Sequence, residues 1–298
     1  MASQQSMDYY IGVIPKAPIA SKELVELLVT KFRAFRLQAL TEADGKAFGR
    51  TELSAERQRD IESYREELTD PGNHWFSCFN AQAGLHGNIF RNAEEKPPEV
   101  SQILDARLNA DDERIIREGE WIGMSSGHGP MPAEEWQLAR LQGGQLYPDE
   151  VESRFHLANL YFLEGHRGVK ANDDEKLFLR LCYSSFDYCY ALSHQLAKHK
   201  PAYCRLRGTI SPDAPGTKLM DLYKSFDYHF IGWVPQVTAM ILNKAKVDGW
   251  PLVEENPAFY SHCTFPTFEK VCRVNNDGSV HVLTEEGPKG EVWTKAML

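Results

Sequence analysis

The sequence predicts a mixed protein of the α/β or α+β class, built on one central β-sheet. Segments with helical and with strand periodicity alternate along the chain, and no internal repeat is visible. The segment Phe155 to Leu163 is apolar at nearly every position, as in a strand that is covered on both faces. A long helical pattern from about Asp173 to His199 follows it. A buried strand that leads into a long helix indicates helices packed on a sheet.

The first 150 residues alternate between strands and helices. Ser21 is a suitable N-cap for a first helix that ends near Leu40, because apolar residues recur at helical spacing between them. The other elements predicted in this half are a strand over Tyr9–Ile14, a helix from Ser54 to Asp70, a strand over His74–Phe79, a short helix over Glu99–Arg107 and a strand within Arg114–Ser126. Polar stretches near residues 81–112 and 127–150 are predicted to be insertions.

The second half repeats this alternation. Asn172 is a good N-cap for the long helix, with Glu175 three residues on as in a capping box. The later elements are a strand over Tyr203–Ile210, a helix over Lys218–Ser225, a strand over Tyr228–Val234 with a possible continuation over Val237–Leu242, a hairpin of Lys270–Val274 and Val280–Leu283, and a third strand over Glu291–Lys295. The turn Asn275-Asn276-Asp277-Gly278 makes the hairpin the strongest of these signals.

Composition restricts the classes of partner. Lys plus Arg is 33 and Asp plus Glu is 42, so the net charge of -9 argues against nucleic acid as the main partner. No apolar run approaches the length of a membrane helix, and the short polar start predicts no secretory signal, so we expect a cytoplasmic protein without a membrane partner. The six cysteines form no C-x-x-C pair, and the histidines show no zinc spacing, so we expect buried thiols and no metal site.

The segment between the buried strand and the long helix has the form of an anion site. Its loop reads His166-Arg167-Gly168-Val169-Lys170-Ala171, basic and containing glycine. Loop amides and the free N–H groups at the start of a helix point outward, and the helix dipole adds partial positive charge. The phosphates of a cofactor could therefore bind there, although the two basic side chains could equally belong to a solvated turn.

Three motifs in matching order resemble those of the GNAT superfamily of acyl-CoA-dependent N-acyltransferases. Leu160-Tyr161-Phe162-Leu163 with Arg167-Gly168 is similar to that superfamily's L-Y-V-x-P strand and the R-G-x-G-x-G/A loop after it. Leu222-Tyr223-Lys224-Ser225-Phe226-Asp227-Tyr228 resembles its L-Y-x-x-x-G-F motif. Phe35 to Phe48 resembles the R-x-x-A-L segment on its first helix. The resemblance covers about Tyr9 to Phe259.

The resemblance implies a fold and a domain organisation. We expect a GNAT-like central mixed β-sheet flanked by helices over residues 1–259, with the insertions named above. The strands at 155–163 and 203–210 would be parallel neighbours that splay apart. Residues 260–298 would form a C-terminal β-hairpin extension packed on the same domain.

The resemblance also implies roles for single residues. Backbone amides of the loop would bind the CoA pyrophosphate, at Arg167, Gly168, Val169, Lys170 and Ala171. An amide near Phe162 or Leu163 would polarise the thioester carbonyl. Tyr223 would be the general acid toward the departing thiolate, or else a core aromatic. Glu120 is a candidate general base, or else an exposed acid at a strand end, and His156 and Tyr161 have the character of core residues.

The motifs also depart from the superfamily's pattern, which leaves the function open between classes. Lys170 stands where the loop's second glycine is expected, and Asp227 and Tyr228 replace Gly and Phe in the later motif. The first hypothesis is an enzyme that transfers an acetyl group from acetyl-CoA to an amine of a small molecule. The alternatives are an enzyme of the same fold that does other chemistry on a hydrophobic metabolite, and a non-catalytic binding protein.

Overall fold

A computed structural model of the chain describes ten stretches of sequence. They are residues 8–16, 20–43, 53–81, 110–138, 146–169, 176–198, 202–210, 216–235, 264–277 and 279–283. The strands within them are β1 (Asp8–Val13), β2 (Asn73–Ala81), β3 (Glu120–His128), β4 (Glu152–Phe162), β5 (Ala202–Thr209), β6 (His229–Pro235), β7 (Thr264–Val274) and β8 (Val280–Val282). The helices are α1 (Lys22–Glu42), α2 (Leu53–Gln58), α3 (Ile61–Thr69), α4 (Ala110–Glu118), α5 (Ala133–Leu138), α6 (Leu177–Leu196) and α7 (Gly216–Ser225).

All the described strands form one mixed sheet. Its order is β1-β2-β3-β4-β5-β7-β6, with β8 beside β7. Neighbouring strands are antiparallel except β4 and β5, which run parallel from the pair Glu152 and Tyr203 to the pair Leu157 and Gly208. The predicted fold class, a central mixed sheet flanked by helices, is therefore confirmed, and β4 and β5 are the predicted parallel pair.

The helices α1 and α3 cover one face of the amino-terminal half of the sheet. The Ser21 hydroxyl caps α1 by accepting a hydrogen bond from the Leu24 N–H at 3.2 Å, as predicted. The core there is aromatic: Phe32 packs edge-on against Trp75 and Tyr64. This core also contains apolar side chains of β3, so burial of the apolar stripe on α1 positions the helix across β2 and β3.

The long helix α6 covers the opposite face. It packs against side chains of β4, β5 and β7, including Phe155, Leu157, Leu206 and Phe268. Toward the amino-terminal strands it contacts a second cluster that contains Ile11, Phe76, Cys78 and Ile122. Because β4 is covered on both faces, it has the continuous apolar run that the sequence displayed.

Four predicted elements differ from those observed. The helix expected from Ser54 is two helices, because Asp60 caps α3 through a hydrogen bond from the Ser63 N–H at 2.7 Å. Ile116 lies on α4 rather than on a strand, and β3 begins only at Glu120. The helix α6 begins at Leu177, after Lys176 as its N-cap. The hairpin of β7 and β8 is present, but β7 is an internal strand between β5 and β6 instead of an addition beyond them.

Some predicted elements lie outside the described residues. They are the short helix over Glu99–Arg107, the capping pair Asn172 and Glu175, the continuation over Val237–Leu242 and the third strand over Glu291–Lys295. Of the predicted buried thiols, Cys78, Cys182, Cys189, Cys204 and Cys272 are buried and free, and Cys263 is outside. No helix in the described part of the chain is both long and apolar enough to cross a membrane.

A chain of alternating charges connects β4, β5 and β7 on the face away from α6. Its members, in order of contact, are Asp149, Arg154, Glu152, Arg205, Glu269 and Arg207. Arg154 Nη2 lies 2.9 Å from Glu152 Oε2, and Arg207 Nη2 lies 2.9 Å from Glu269 Oε1. Arg154 and Arg205 face each other on the parallel strands, and both are fully buried. Two buried cations this close need the carboxylates between them.

We expect the substitution Glu152→Leu to lower the free energy of unfolding by about 3–5 kcal/mol, because it leaves two buried guanidinium groups with a missing partner. Urea denaturation monitored by circular dichroism measures this loss. The matched control is Glu62→Leu, which removes an exposed pair with Arg65 and should cost about 0.5 kcal/mol or less. Equal effects of the two substitutions would contradict a stabilising role for the buried chain.

Candidate active-site cleft

The cleft lies where β4 and β5 separate. The two strands are paired up to Leu157 and Gly208, and β4 continues to Phe162 without a partner residue in β5. The four residues Ala158 to Tyr161 are each partly exposed, although β4 is a central strand. The backbone edge of this segment is therefore open on the side of β5, as the predicted splay requires.

A β-bulge changes the direction of side chains in the same segment of β4. The register with β3 shifts between Met124 and Ser126, and Asn159 adopts a left-handed conformation with φ of 54°. The Asn159 amide donates a hydrogen bond to Ser126 Oγ at 2.8 Å, which holds the bulge. After the bulge, Tyr161 rather than Leu160 packs with the core under α1. The bulge therefore lies at the point where the cleft opens.

Tyr223 lies at the last paired level of the cleft. Its ring rests on Gly208, where an added Cβ would lie 2.1 Å from a ring carbon, so only glycine fits there. The ring also stacks on Phe268 at 5.1 Å and meets Tyr228 edge-on at 5.2 Å. Burial raises the pKa of the Tyr223 phenol above its usual value, so the hydroxyl stays protonated at neutral pH. Its position fits a proton donor at the cleft, on the side of α6.

The loop after β4 differs in part from its predicted role. The Leu163 N–H donates to the Ile122 carbonyl at 2.9 Å, so it is not free to polarise a thioester. The Phe162 ring is buried over Gly123, and its carbonyl accepts from Arg167 Nε at 3.0 Å. Arg167 also donates to the Tyr161 hydroxyl at 2.6 Å, and its guanidinium lies over the Tyr161 ring. Arg167 is thus turned back onto β4.

The approach to α6 keeps features of an anion site. Gly168 has a φ of 80°, in the left-handed region that favours glycine, and open space surrounds the position of its missing Cβ. The Val169 carbonyl accepts from the Leu177 N–H at 3.0 Å and leads the chain into α6. The first turn of α6, from Leu177, carries no acidic residue. Lys170 and Ala171 lie outside the described residues.

Glu120 lies at the first position of β3, where it is exposed and faces Asn80 of β2. Burial lowers the pKa of the Lys31 ammonium, and attraction to the nearby Glu120 carboxylate offsets part of this lowering. Glu120 is on β3, Tyr223 rests on Gly208 of β5, and β4 lies between these two strands, so Glu120 and Tyr223 are not brought together. A role of Glu120 as a base stays a prediction.

The face of the cleft opposite Tyr223 is polar. His156 and Arg207 are paired residues of β4 and β5, and His156 Nε2 lies 3.3 Å from Thr209 Oγ1. Burial, helped by the charge of Arg207, lowers the pKa of His156 to about 3. The Trp136 ring of α5 covers the Arg207 guanidinium at 3.8 Å. The cleft therefore has a phenol on one side and a neutral imidazole beside a cation on the other.

Sequence reasoning missed this polar face. Its members come from α5, β4, β5 and β7, and Glu269 is 62 residues away from Arg207. A local signal was nevertheless present, because charged residues stand at alternate positions at Glu152 and Arg154 and again at Arg205 and Arg207. Such alternation predicts a strand with one polar face. Within the residues that the structure describes, no group of three or more His, Cys, Asp or Glu residues could hold a metal ion.

Comparison with known proteins finds similarity among solved structures. No protein-family model and no curated protein matches the chain. The chain is similar to a solved structure described as that of Arabidopsis thaliana NAA60 in complex with a bisubstrate analogue, with 12% sequence identity and a TM-score of 0.36. The match covers 89% of this chain and 99% of the other. At this TM-score, the strand order of the chain itself remains the basis for its fold assignment.

We expect the free energy of unfolding to fall as the pH is lowered from about 6.5 to 5. An unfolded histidine takes up a proton near pH 6.5, whereas burial lowers the pKa to about 3 for folded His156 and to about 4 for folded His74. The unfolded chain therefore binds more protons in this window, and stability falls by about 1 kcal/mol per pH unit for each histidine.

Urea denaturation at several pH values measures this slope. The substitutions His156→Gln and His74→Gln should each make it shallower, whereas His281→Gln, at an exposed position, should leave it unchanged. An unchanged slope in both buried variants would contradict the inferred neutral state of these imidazoles.

Proposed function

We propose that the protein is an N-acyltransferase that moves an acetyl group from acetyl-CoA to an amine of a small molecule. The observation that carries this proposal is that the parallel strands β4 and β5 are paired over only part of their length, and that the Tyr223 hydroxyl lies at the level where this pairing ends. An extended thioester arm can lie along the open edge of β4, between residues 158 and 162, as an added strand would. Fold alone would not support an activity, but this arrangement at the cleft does.

The residues of the cleft account for the steps of the proposed transfer. The neutral acceptor nitrogen forms a bond to the thioester carbon, it loses one proton to water, and the carbon–sulfur bond breaks. The sulfur then takes a proton, and Tyr223 is the protonated phenol on its side of the cleft. The carbonyl oxygen gains negative charge during the attack, and we assign its stabilisation to the open backbone at the bulge around Asn159. The Leu163 N–H is not available for this role, because it is bonded to the Ile122 carbonyl.

The approach to α6 is suited to the diphosphate of CoA. Gly168 has a positive φ with open space around it, and the first turn of α6 carries no acidic residue. One observation favours the alternative of a protein that no longer uses CoA. Arg167 donates to Phe162 and to Tyr161 of its own strand, so it contributes less charge to the loop. Cofactor binding and catalysis therefore need separate tests.

The first test measures binding of acetyl-CoA by thermal shift. We expect acetyl-CoA to raise the melting temperature of the protein, because it binds only the folded state. Gly168→Asp should abolish this shift, since it strains the backbone and adds a negative charge to the loop. Gly165→Asp is the matched control, because it adds the same charge in open space without a positive φ. A flat response of the wild type at millimolar acetyl-CoA would favour the CoA-independent alternative.

The second test concerns the proton on Tyr223. We expect Tyr223→Phe to lower turnover roughly 10²- to 10⁴-fold, because the phenol that protonates the leaving sulfur is lost. Stability should change by less than about 1 kcal/mol, since the ring and its stacking on Phe268 are kept. Release of free thiol from acetyl-CoA measures turnover.

Tyr228→Phe is the matched control for this test. Its hydroxyl is buried without a hydrogen-bond partner, and its ring adjoins Tyr223, but it does not lie on Gly208. Turnover should therefore stay within a few-fold of the wild type. If Tyr223→Phe kept full turnover, Tyr223 would be a packing residue, and the proposed general acid would be wrong.

A further inference from the structure

The chain of alternating charges ends at Arg207, one residue before the last paired level of the cleft. Glu152 is shared by Arg154 and Arg205, and Glu269 is shared by Arg205 and Arg207. Asp149 terminates the chain at its other end beside Arg154. Among the described residues, Glu269 is the one carboxylate paired with Arg207, and it is shared with Arg205, so the charge of Arg207 is only partly neutralised.

One buried donor at this end, the Trp136 indole N–H, has no acceptor among the described residues, and the guanidinium that its ring covers has one further nitrogen without a partner there. Arg207 uses Nε and Nη2 to contact Glu269 and the Trp136 carbonyl, and Nη1 has no partner among the residues described. The Trp136 indole lies over the guanidinium and is fully buried, yet its Nε1 has no hydrogen-bond partner. An unpaired buried donor costs about 1–3 kcal/mol, so an acceptor bound here would be stabilising, and a negatively charged acceptor would also pair with the guanidinium.

The position of Arg207 connects these donors to the cleft. Arg207 and Gly208 are consecutive in β5, so Arg207 faces the side of the sheet opposite to Tyr223. His156 and Thr209 lie beside it on the cleft side of that face, and they meet at 3.3 Å, near the long end of the hydrogen-bond range. A ligand in the cleft can replace this weak contact and reach the guanidinium.

We propose that Arg207 and Trp136 bind the carboxylate of the acceptor, and that the acceptor is a small molecule with both an amine and a carboxylate. A carboxylate offers two oxygens to the guanidinium and the indole N–H, and its single charge matches a cation that Glu269 already neutralises in part. The amine of the same molecule then points into the cleft. This inference rests on the proposed acyl transfer only for the fate of the amine, not for binding of the carboxylate.

The first experiment uses the unmodified protein. Melting temperatures are measured with each of the common amino acids at 10 mM and with the matching amino-acid amides, which keep the amine and remove the negative charge. We expect at least one acid to raise the melting temperature while its amide does not. If no acid stabilises the protein more than its amide, the carboxylate site is refuted.

The second experiment measures affinity for the best acid by calorimetry in two variants. Arg207→Met should weaken binding roughly 10- to 100-fold, because a charge-assisted pair of hydrogen bonds is lost. Trp136→Phe keeps an aromatic ring near the guanidinium but removes the indole N–H, so it should weaken binding by a few-fold, and it covers the case in which Arg207→Met does not fold. Arg117→Met is the control, since it removes an exposed arginine paired with Glu113 and should not change the affinity. Unchanged affinity in Trp136→Phe, or in a folded Arg207→Met, would overturn the assignment.

A thiol-release assay with acetyl-CoA separates this inference from the proposed function. Acid binding that depends on Arg207 without thiol release would support the carboxylate site and refute the acyl transfer. Thiol release with acids and amides at equal kcat/KM would support the acyl transfer and refute the carboxylate site. Thiol release that is faster with acids than with their amides, and that loses this preference in Arg207→Met, supports both the carboxylate site and the acyl transfer.

Discussion

The buried ion chain across β4, β5 and β7 is the constraint on which the cleft depends. A parallel pair that is joined over only half its length needs a firm attachment in the paired half, and guanidinium–carboxylate contacts supply it between Glu152, Arg205 and Glu269. Such charges are costly to bury, and they are tolerated because each cation faces a carboxylate. The chain therefore stabilises the strands below the level at which they separate, and it leaves the upper part of β4 open.

The separation of β4 and β5 gives the cleft two chemically different sides. On the side of α6, Tyr223 rests on the bare backbone of Gly208 within an aromatic cluster. On the other side, Arg207 carries the end of the ion chain next to a neutral His156. Consecutive residues of one strand point to opposite faces, so a single strand end can present an acid toward a leaving group and a cation toward an acceptor. In the proposed reaction the two substrates approach from different sides.

The loop between β4 and α6 combines retained and altered features. Gly168 has the positive φ that only glycine adopts at low cost, and the first turn of α6 itself carries no acidic residue. Arg167, in contrast, is bound to Phe162 and Tyr161 of β4, and the Leu163 N–H is bound to β3. In our proposal, the thioester carbonyl is therefore polarised by backbone at the Asn159 bulge and not by an amide at the end of β4. This bulge is also what directs Tyr161 toward α1.

The sequence by itself determined the elements whose causes are local. The Ser21 cap, the apolar run of β4 and the turn before β8 all follow from neighbouring residues, and motif order was sufficient to predict the parallel pair and the place of Tyr223 near its end. Only the tertiary structure decided which partners these residues meet. Glu269 reaches Arg207 across 62 residues, β7 inserts between β5 and β6, and Gly208 is required because a distant ring lies on it. Contacts of this kind depend on strand order and register, which no local pattern specifies.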